Sequence, residues 1–176
     1  ELECGHTPLT SLDVSNNTAL RYFYCNDNQL TSLDVSQNTA LEQLICYENQ
    51  LTSLDLSNNT ALEYLYCHKN NLTILDVRNG SNLNYGHLST YDNPNLLCIS
   101  VDDPIWASAN WTVGQNISGW TSFSTDCQSE IIGCTDSTNI NYDPFATLNY
   151  NCYYPKTYIP DDNFEQALID KGLDDI

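Results

Sequence analysis

Apolar and polar residues alternate along the first half of the chain, and the alternation repeats with a fixed period. Each repeat opens with a leucine, and these leucines lie 21 residues apart, at Leu9, Leu30, Leu51 and Leu72. Two short segments then alternate apolar and polar side chains, first around Leu12 and Val14 and again around Phe23 and Cys25. Alternation with period two is the pattern of a strand with one buried face. Each repeat is therefore predicted to form a coil with two short strands.

The near identity of successive repeats predicts how the coils pack. A single coil cannot bury its apolar positions alone, whereas stacked coils of similar sequence close a continuous core. A period of 21 residues with this leucine spacing is typical of a leucine-rich-repeat solenoid. We therefore expect a mainly β fold over residues 1–91, a solenoid in which each coil gives one strand to each of two parallel sheets.

Asparagines recur at the two corners where each predicted strand ends. Their amides can donate to and accept from backbone groups of the turn and of the next coil. The sequence therefore predicts an asparagine ladder formed by Asn17, Asn28, Asn38, Asn49, Asn59 and Asn70.

Cysteines keep the same period, at the inward position of the second strand: Cys4, Cys25, Cys46 and Cys67. Neighbouring coils would hold them about 4.8 Å apart, but side chains in register point the same way and do not offer the torsion that a disulfide prefers. We predict four buried free thiols. A ladder of metal-bound thiolates is the alternative, which the apolar surroundings disfavour.

The pattern weakens in the fourth repeat, where Gly80 takes the place of the ladder asparagine and Gly86 that of an inward leucine. The open end of a solenoid needs a cover. We assign that role to a cap at residues 92–127, whose large apolar side chains are Trp106, Trp111, Trp120 and Phe123. Cys98 and Cys127 flank the cap outside the ladder, and we predict a disulfide between them.

Two short segments follow the cap. Residues 128–155 form a loop-rich module bracketed by Cys134 and Cys152, which we pair as a second disulfide. Four of its side chains could offer oxygen ligands to calcium, but an Asx-turn-rich linker is the simpler interpretation of Asp136, Asn139, Asn141 and Asp143. Residues 156–176 are predicted to form a short α-helix with Asp162 as its N-cap.

Composition and charge limit the function. Acidic residues outnumber basic ones 23 to 5, a formal charge of −18, which disfavours nucleic-acid partners and electrostatic membrane binding. No apolar run is long enough for a membrane helix, so we expect no direct membrane insertion. The sequence begins inside a repeat, so we expect a fragment of a longer protein. His6, His68 and His87 belong to no catalytic constellation, and we predict neither an enzyme nor a cofactor.

Three segments together resemble the secreted leucine-rich-repeat surface proteins of the Bacteroidetes: the repeat LTSLDVSNNTAL, the cap LLCISVDDPIWASANWT and the closing YIPDDNFEQALIDKGLDD. GCTDSTNINYDPFATLNYNC is similar to a linker module in large exported proteins of the same bacteria. The resemblance implies extracellular display through the type IX secretion route and a role in adhesion. It also implies that residues 156–176 cap a following repeat domain and that Ser137 is a weak candidate for O-glycosylation.

The outward positions of the two predicted sheets differ in kind. The outward positions of the first sheet read serine, aspartate, serine in each coil. The aspartates therefore form a column of like charges, whose repulsion is either tolerated in water or reduced by bound cations. They are Asp13, Asp34, Asp55 and Asp76. The second sheet carries an aromatic stripe that we take as the candidate binding face: Tyr22, Tyr24, Tyr47, Tyr64, Tyr66, Tyr85, His68 and His87.

Two functions fit these faces. Tyrosine gives a large, rigid contact area with a polar tip, so the stripe can serve adhesion to a glycan or protein partner. Alternatively the tyrosines only stabilise the sheet, and tandem solenoids act as spacers that self-associate in a surface fibre. Variation on the second sheet, where Gln43 and Ile45 replace tyrosines, favours recognition.

Overall fold

The computed structural model describes residues 1–80, 87–111 and 116–127, together with residues 132–133, 137 and 146–149. The chain divides into two compact units, Glu1–Ser129 and Glu130–Ile176. In chain order the described elements are β1 (Leu2–Glu3), β2 (Tyr22–Tyr24), β3 (Gln43–Ile45), β4 (Ser53–Asp55), β5 (Tyr64–Tyr66), β6 (Ile74–Asp76), β7 (Leu88–Ser89), β8 (Cys98–Ser100), α1 (Pro104–Asn110), β9 (Ser122–Ser124), β10 (Ile132–Gly133) and β11 (Leu148–Asn149).

Parallel pairing in the first unit builds two sheets. The tyrosine sheet has the strand order β1-β2-β3-β5-β7, and the aspartate sheet has the order β4-β6-β8-β9. Phe23 pairs with Leu44 and Leu44 pairs with Leu65, so equivalent positions of these coils lie side by side. The predicted mainly β solenoid is confirmed. One detail differs, because the aspartate sheet begins only at the third coil: residues 11–13 and 32–34 form no strand.

The inward side chains of both sheets meet in one continuous core. Phe23, Leu44 and Leu65 from the tyrosine sheet and Leu75 from the aspartate sheet are completely buried. A fully buried side chain of this size contributes about 1.5–3 kcal/mol. Because every coil repeats the same inward positions, the core grows by one layer with each repeat.

The repeated cysteines lie in this core. Cys25, Cys46 and Cys67 are buried and unpaired, while Cys4 is unpaired but only half-buried, so the prediction of four buried thiols is wrong for Cys4. Burial raises the pKa of the Cys25 and Cys46 thiols, and it raises the pKa of Cys67 to about 12. Protonated thiols are poor nucleophiles and poor metal ligands, so the column is a set of small apolar core side chains.

Asparagines at the corner after the tyrosine sheet form a tyrosine-side ladder. The Nδ2 atom of Asn49 donates to the carbonyl oxygens of Cys25 at 3.0 Å and Cys46 at 3.1 Å, and its Oδ1 accepts from the backbone N–H of Leu30 at 3.0 Å. The same three-way pattern recurs at Asn28, Asn70 and Asn93. Each member joins two successive coils through main-chain groups.

An aspartate-side ladder runs along the opposite corner. The Nδ2 atom of Asn59 donates to the carbonyl oxygens of Val35 at 3.0 Å and Asn38 at 2.9 Å. Its Oδ1 is buried and has no hydrogen-bond partner among the described residues, as is also true of Asn38 and Asn79. Asn17, in the first coil, is exposed and contributes its carbonyl oxygen to Asn38.

The fourth coil departs from the sequence prediction at two positions. Asn79, not Gly80, holds the ladder position, and its Nδ2 donates to Asn59 at 3.2 Å. Leu88, not Gly86, pairs with Leu65 and fills the core. The connection from β6 to β7 is therefore two residues longer than that from β4 to β5. Strand pairing sets this register, because a leucine fills an inward position that glycine would leave empty.

The cap closes the solenoid with a strand, a disulfide and a helix. β9 joins the aspartate sheet beside β8, and the predicted disulfide between Cys98 and Cys127 is confirmed, with Cα atoms 5.7 Å apart. Helix α1 was not predicted. Its signals are Asp103, whose side chain accepts two backbone N–H groups as the N-cap, and Pro104 in the first turn.

The aromatic residues of the cap differ in burial. Trp111 is buried, and the ring of Trp106 meets it edge-on at 5.9 Å, while the ring of Phe123 lies 5.4 Å from it at a tilt of 56°. The expectation that Trp120 also covers the core is wrong, because 48% of that residue is exposed in the turn before β9. Ile117 is completely buried in the cap instead.

The second unit is described in part. β10 and β11 pair in parallel, with Ile132 opposite Leu148, and Ser137 is exposed in a turn. The proposed disulfide and calcium ligands lie outside the described residues, namely Cys134, Cys152, Asp136, Asn139, Asn141 and Asp143. So does the helix expected at residues 156–176, and all of these remain predictions.

Candidate binding face

The outward side chains of the tyrosine sheet form three columns that cross the strands, and we call them together the tyrosine face. The strand register and the cross-coil hydrogen bonds define the columns. Column one holds Tyr22, Gln43, Tyr64 and His87. Column two holds Glu3, Tyr24, Ile45, Tyr66 and Ser89. Column three, just after the strands, holds Gly5, Asn26, Tyr47, His68 and Tyr91.

Column three contains a continuous aromatic stack. The ring of His68 lies 4.6 Å from that of Tyr47 and 4.4 Å from that of Tyr91, with interplanar angles of 8° and 13°. The Oγ atom of Ser89 lies 3.2 Å from the Nδ1 of His68. Burial between the two rings, with a smaller effect from the Lys69 charge, lowers the pKa of His68. The lowered pKa favours the neutral imidazole at the centre of the stack.

The other two columns are also bound into local contacts. Tyr64 stacks on His87 with ring centroids 4.0 Å apart, and the guanidinium of Arg21 lies 5.4 Å from the ring centroid of Tyr22. The hydroxyl of Tyr24 donates to Oε1 of Gln43 at 3.3 Å. Most tyrosines of the face are thus positioned by a neighbour in the adjacent coil, which fixes their orientation.

The sequence placed most of this face and missed one member. Tyr22, Tyr24, Tyr47, Tyr64, Tyr66 and His68 lie on it at their predicted positions. His87 is the neighbour of Tyr64 instead of Tyr66, because the fourth coil is longer. The same shift brings Tyr91 onto the stack. Tyr85 lies outside the described residues.

A row of left-handed residues borders column three. His6, Asp27, Glu48, Lys69 and Asp92 all have φ between 53° and 56°. His6 Nδ1 lies 2.9 Å from Asp27 Oδ2, and Lys69 forms an ion pair with Glu48. The contact between Asp27 and Glu48 raises the pKa of the first carboxyl and lowers that of the second. The row contains three carboxylates and one lysine, so it is acidic overall.

A cleft of about 490 Å³ opens at the end of the aromatic stack. It spans the first three strands of the tyrosine sheet, where column three contains its smallest residues, Gly5 and Asn26. Its lining residues are Glu3, Gly5, His6, Tyr24, Asn26, Ile45 and Tyr47. The cleft therefore combines aromatic and aliphatic walls with an acidic residue.

The aspartates of the other sheet have a local role that the sequence analysis did not identify. The Oδ1 atoms of Asp13, Asp34, Asp55 and Asp76 each accept the backbone N–H two residues further on, at 2.9–3.0 Å. This Asx turn closes each coil after the inward valine or leucine. Hydrogen bonds with Ser15 lower the pKa of Asp13, and those with Ser36 lower that of Asp34. The column of like charges is explained by turn formation.

The described residues offer neither a cluster of metal ligands nor a membrane-spanning helix. They include no group of three or more histidine, cysteine, aspartate or glutamate side chains that could hold a metal ion. Within the same part of the chain, no helix is long and apolar enough to cross a membrane.

Comparison with known proteins gives a likeness to a solved structure. No protein-family model matches the chain, and no curated protein matches it. Among solved structures, the functional domain of InlJ from Listeria monocytogenes, which includes a cysteine ladder, is similar at 31% sequence identity and a TM-score of 0.36. The match covers 55% of this chain and 24% of that one, so this chain spans about a quarter of its length.

Proposed function

We propose that this chain belongs to an extracellular recognition module whose tyrosine face binds a protein or glycan partner. The contrast between the two outward faces carries the proposal. The aspartate face repeats one residue because each copy closes a turn of its own coil. The tyrosine face varies from coil to coil, with aromatic, aliphatic, amide and acidic side chains in adjacent positions. A surface that serves stacking alone has no need of this variation.

The scaffold supports recognition by holding the face in one conformation. Two asparagine ladders and the tyrosine sheet connect successive coils, and the aspartate sheet adds further strand pairing from the third coil onward. Four tyrosines of the face are half-buried, namely Tyr22, Tyr24, Tyr64 and Tyr66. Their side chains would therefore lose little conformational entropy when a partner binds. Preorganised aromatic surfaces bind with a small entropic cost.

An extracellular setting is part of the proposal. The disulfide between Cys98 and Cys127 is typical of an oxidising compartment. Surface display through the type IX route, in a bacterium of the Bacteroidetes, is supported by the sequence resemblance. The proposal includes no catalytic step, since the buried thiols are held protonated by their surroundings.

A structural spacer is the second candidate, and the repetitive aspartate face favours it. In that case the tyrosines would stabilise neighbouring coils, as Tyr64 does with His87, and copies of the protein could associate in a fibre. The two candidates predict different effects of changing the tyrosine face.

Paired variants test the proposal. In one, Tyr22, Tyr24, Tyr64 and Tyr66 are changed to serine; in the control, Ser11, Ser32 and Ser53 of the opposite face are changed to alanine. Wild type and both folded variants are applied to a glycan array and to an array of purified extracellular proteins. The recognition proposal expects wild type and control to bind the same partner and the tyrosine variant to lose it. Equal binding by all three, or binding by none, supports the spacer.

A further inference from the structure

We infer that the cleft at the end of the aromatic stack is a subsite for an arginine side chain presented by a protein partner. This inference rests on the proposed function, because it names the class of partner that the tyrosine face would recognise. Three features carry it: the open end of the stack, the recess beside it and the acidic charge next to that recess.

The first feature is the direction of the stack. The rings of Tyr47, His68 and Tyr91 lie nearly parallel across successive coils, so their planes stand upright on the sheet and their edges face solvent. Within the stack the ring faces cover one another. At its Tyr47 end no further described ring follows, and the next position of the column is Asn26, at the cleft. A planar group entering the cleft would extend the stack by one layer.

The second feature is the recess that gives room for this layer. Column three has Asn26 and Gly5 where later coils have rings, and column two has Ile45 between two tyrosines. A Cβ atom on Gly5 would lie 3.1 Å from Oδ1 of Asn26, which is tight. The recess therefore results from the small residues Gly5 and Asn26, which pack closely together. Ile45 forms an apolar wall of the recess, on which the aliphatic part of a partner's side chain could pack.

The third feature is negative charge without a cation of its own. Arg21 pairs with Glu42, and Lys69 pairs with Glu48. Glu3 is exposed and takes part in none of the ion pairs among the described residues. Burial first, then the charges of Glu1 and Glu3, raises the pKa of the Tyr24 hydroxyl. The negative potential of these glutamates thus reaches the wall of the cleft.

Arginine matches all three features. Its guanidinium is planar, stacks on aromatic faces and donates two parallel hydrogen bonds to a carboxylate, while its stem packs on apolar surface. Lysine lacks the plane, and a neutral sugar lacks the positive charge that would pair with the carboxylate of Glu3. The formal charge of −18 also steers a basic protein surface towards the face.

The test is an NMR titration of the full chain with capped arginine, Nα-acetyl-arginine amide. We expect saturable shifts of the backbone amides of Glu3, Gly5, Asn26 and Tyr47. Capped citrulline, which has the same shape without the charge, and capped lysine are expected to bind at least about threefold more weakly. No saturation by about 50 mM, equal binding of arginine and citrulline, or saturation by a methyl glycoside in place of arginine would each overturn the inference.

Matched variants assign the effect to the cleft. Glu3→Gln and Tyr47→Leu are each expected to weaken the binding of capped arginine by about three- to fivefold. Glu63→Gln and Trp120→Leu, which remove a carboxylate and an exposed aromatic ring outside the tyrosine face, are expected to leave the affinity unchanged. If both pairs act alike, the subsite is not the cleft and the inference is wrong.

These outcomes are separable from those of the proposed function. If capped arginine fails to bind while the tyrosine-to-serine variant still loses its partner, recognition stands and the arginine subsite is wrong. Should capped arginine bind at the cleft while neither array yields a partner, the subsite stands without the wider function.

Discussion

Single asparagines connect the coils, and the two ladders do so unequally. Asn49 uses both atoms of its amide, since Nδ2 donates to two cysteine carbonyls and Oδ1 accepts from Leu30. Asn59 uses only Nδ2, and its buried Oδ1 has no partner among the described residues. A buried acceptor without a hydrogen-bond partner reduces the net contribution of the amide to the free energy of unfolding.

This difference predicts unequal costs of removing the two amides. Asn49→Ala leaves a buried N–H and two carbonyls without their partner and is expected to lower the free energy of unfolding by about 3 kcal/mol. Asn59→Ala removes two hydrogen bonds together with an unsatisfied oxygen, so it is expected to lower the free energy of unfolding by only about 1–2 kcal/mol. Urea denaturation of both variants measures the difference. An equal cost, or a larger one for Asn59, would contradict this account of the ladders.

The sequence predicted that these asparagines form ladders, because their spacing follows the period. It could not predict which amide oxygen finds a donor. That depends on whether the backbone N–H of the next coil comes within reach, as the N–H of Leu51 does at 2.9 Å from Asn70. Such distances follow from the packed coil, not from spacing.

At the scale of the elements, the cysteine column lies directly after the strands of the tyrosine sheet, one residue beyond the end of each strand. Cys25, Cys46 and Cys67 occupy equivalent inward positions beside the leucines of the core. Burial raises the pKa of each thiol above its value in an unfolded chain. The folded chain therefore keeps protons that the unfolded chain releases at alkaline pH.

Linkage gives the sign of the resulting pH dependence. Stability is unaffected below the unfolded thiol pKa of about 8.5 and falls as pH rises towards the folded values, by up to about 1.4 kcal/mol per pH unit for each thiol. Changing Cys25, Cys46 and Cys67 to alanine is expected to flatten this fall, measured by urea denaturation between pH 8 and pH 10.5. Leu65→Ala also creates a cavity but should keep the slope. A triple variant as steep as wild type would contradict thiol burial as the cause.

The predictability of the elements depended on whether they kept the period. The first three coils of the tyrosine sheet keep the period, so the sequence predicts their strand register and their inward-facing residues correctly. In the fourth coil the longer connection hid the equivalence of Leu88 with Leu65 and of Tyr91 with His68. Residues 92–127 are predicted from the sequence as a cap without a named helix, although Asp103 and Pro104 mark the start of helix α1.

At the scale of the whole molecule, two faces built by the same repeat have different chemistry. Repetition on the aspartate face follows from turn closure by Asp13 and its equivalents. Positions on the tyrosine face are free of that constraint, which allows the aromatic stack and the cleft to form. The sequence indicated the aromatic face from alternation alone, whereas the cleft arises from the three-dimensional neighbourhood of Gly5, Asn26 and Ile45.

The dissociation constant of a partner taken from the arrays is the most direct test of this assignment, measured for wild type and for the two face variants. The account predicts at least about a tenfold weakening when Tyr22, Tyr24, Tyr64 and Tyr66 become serine. It predicts less than about a twofold change when Ser11, Ser32 and Ser53 become alanine. Equal affinities of the two folded variants would contradict it and would leave the tyrosine face as scaffold.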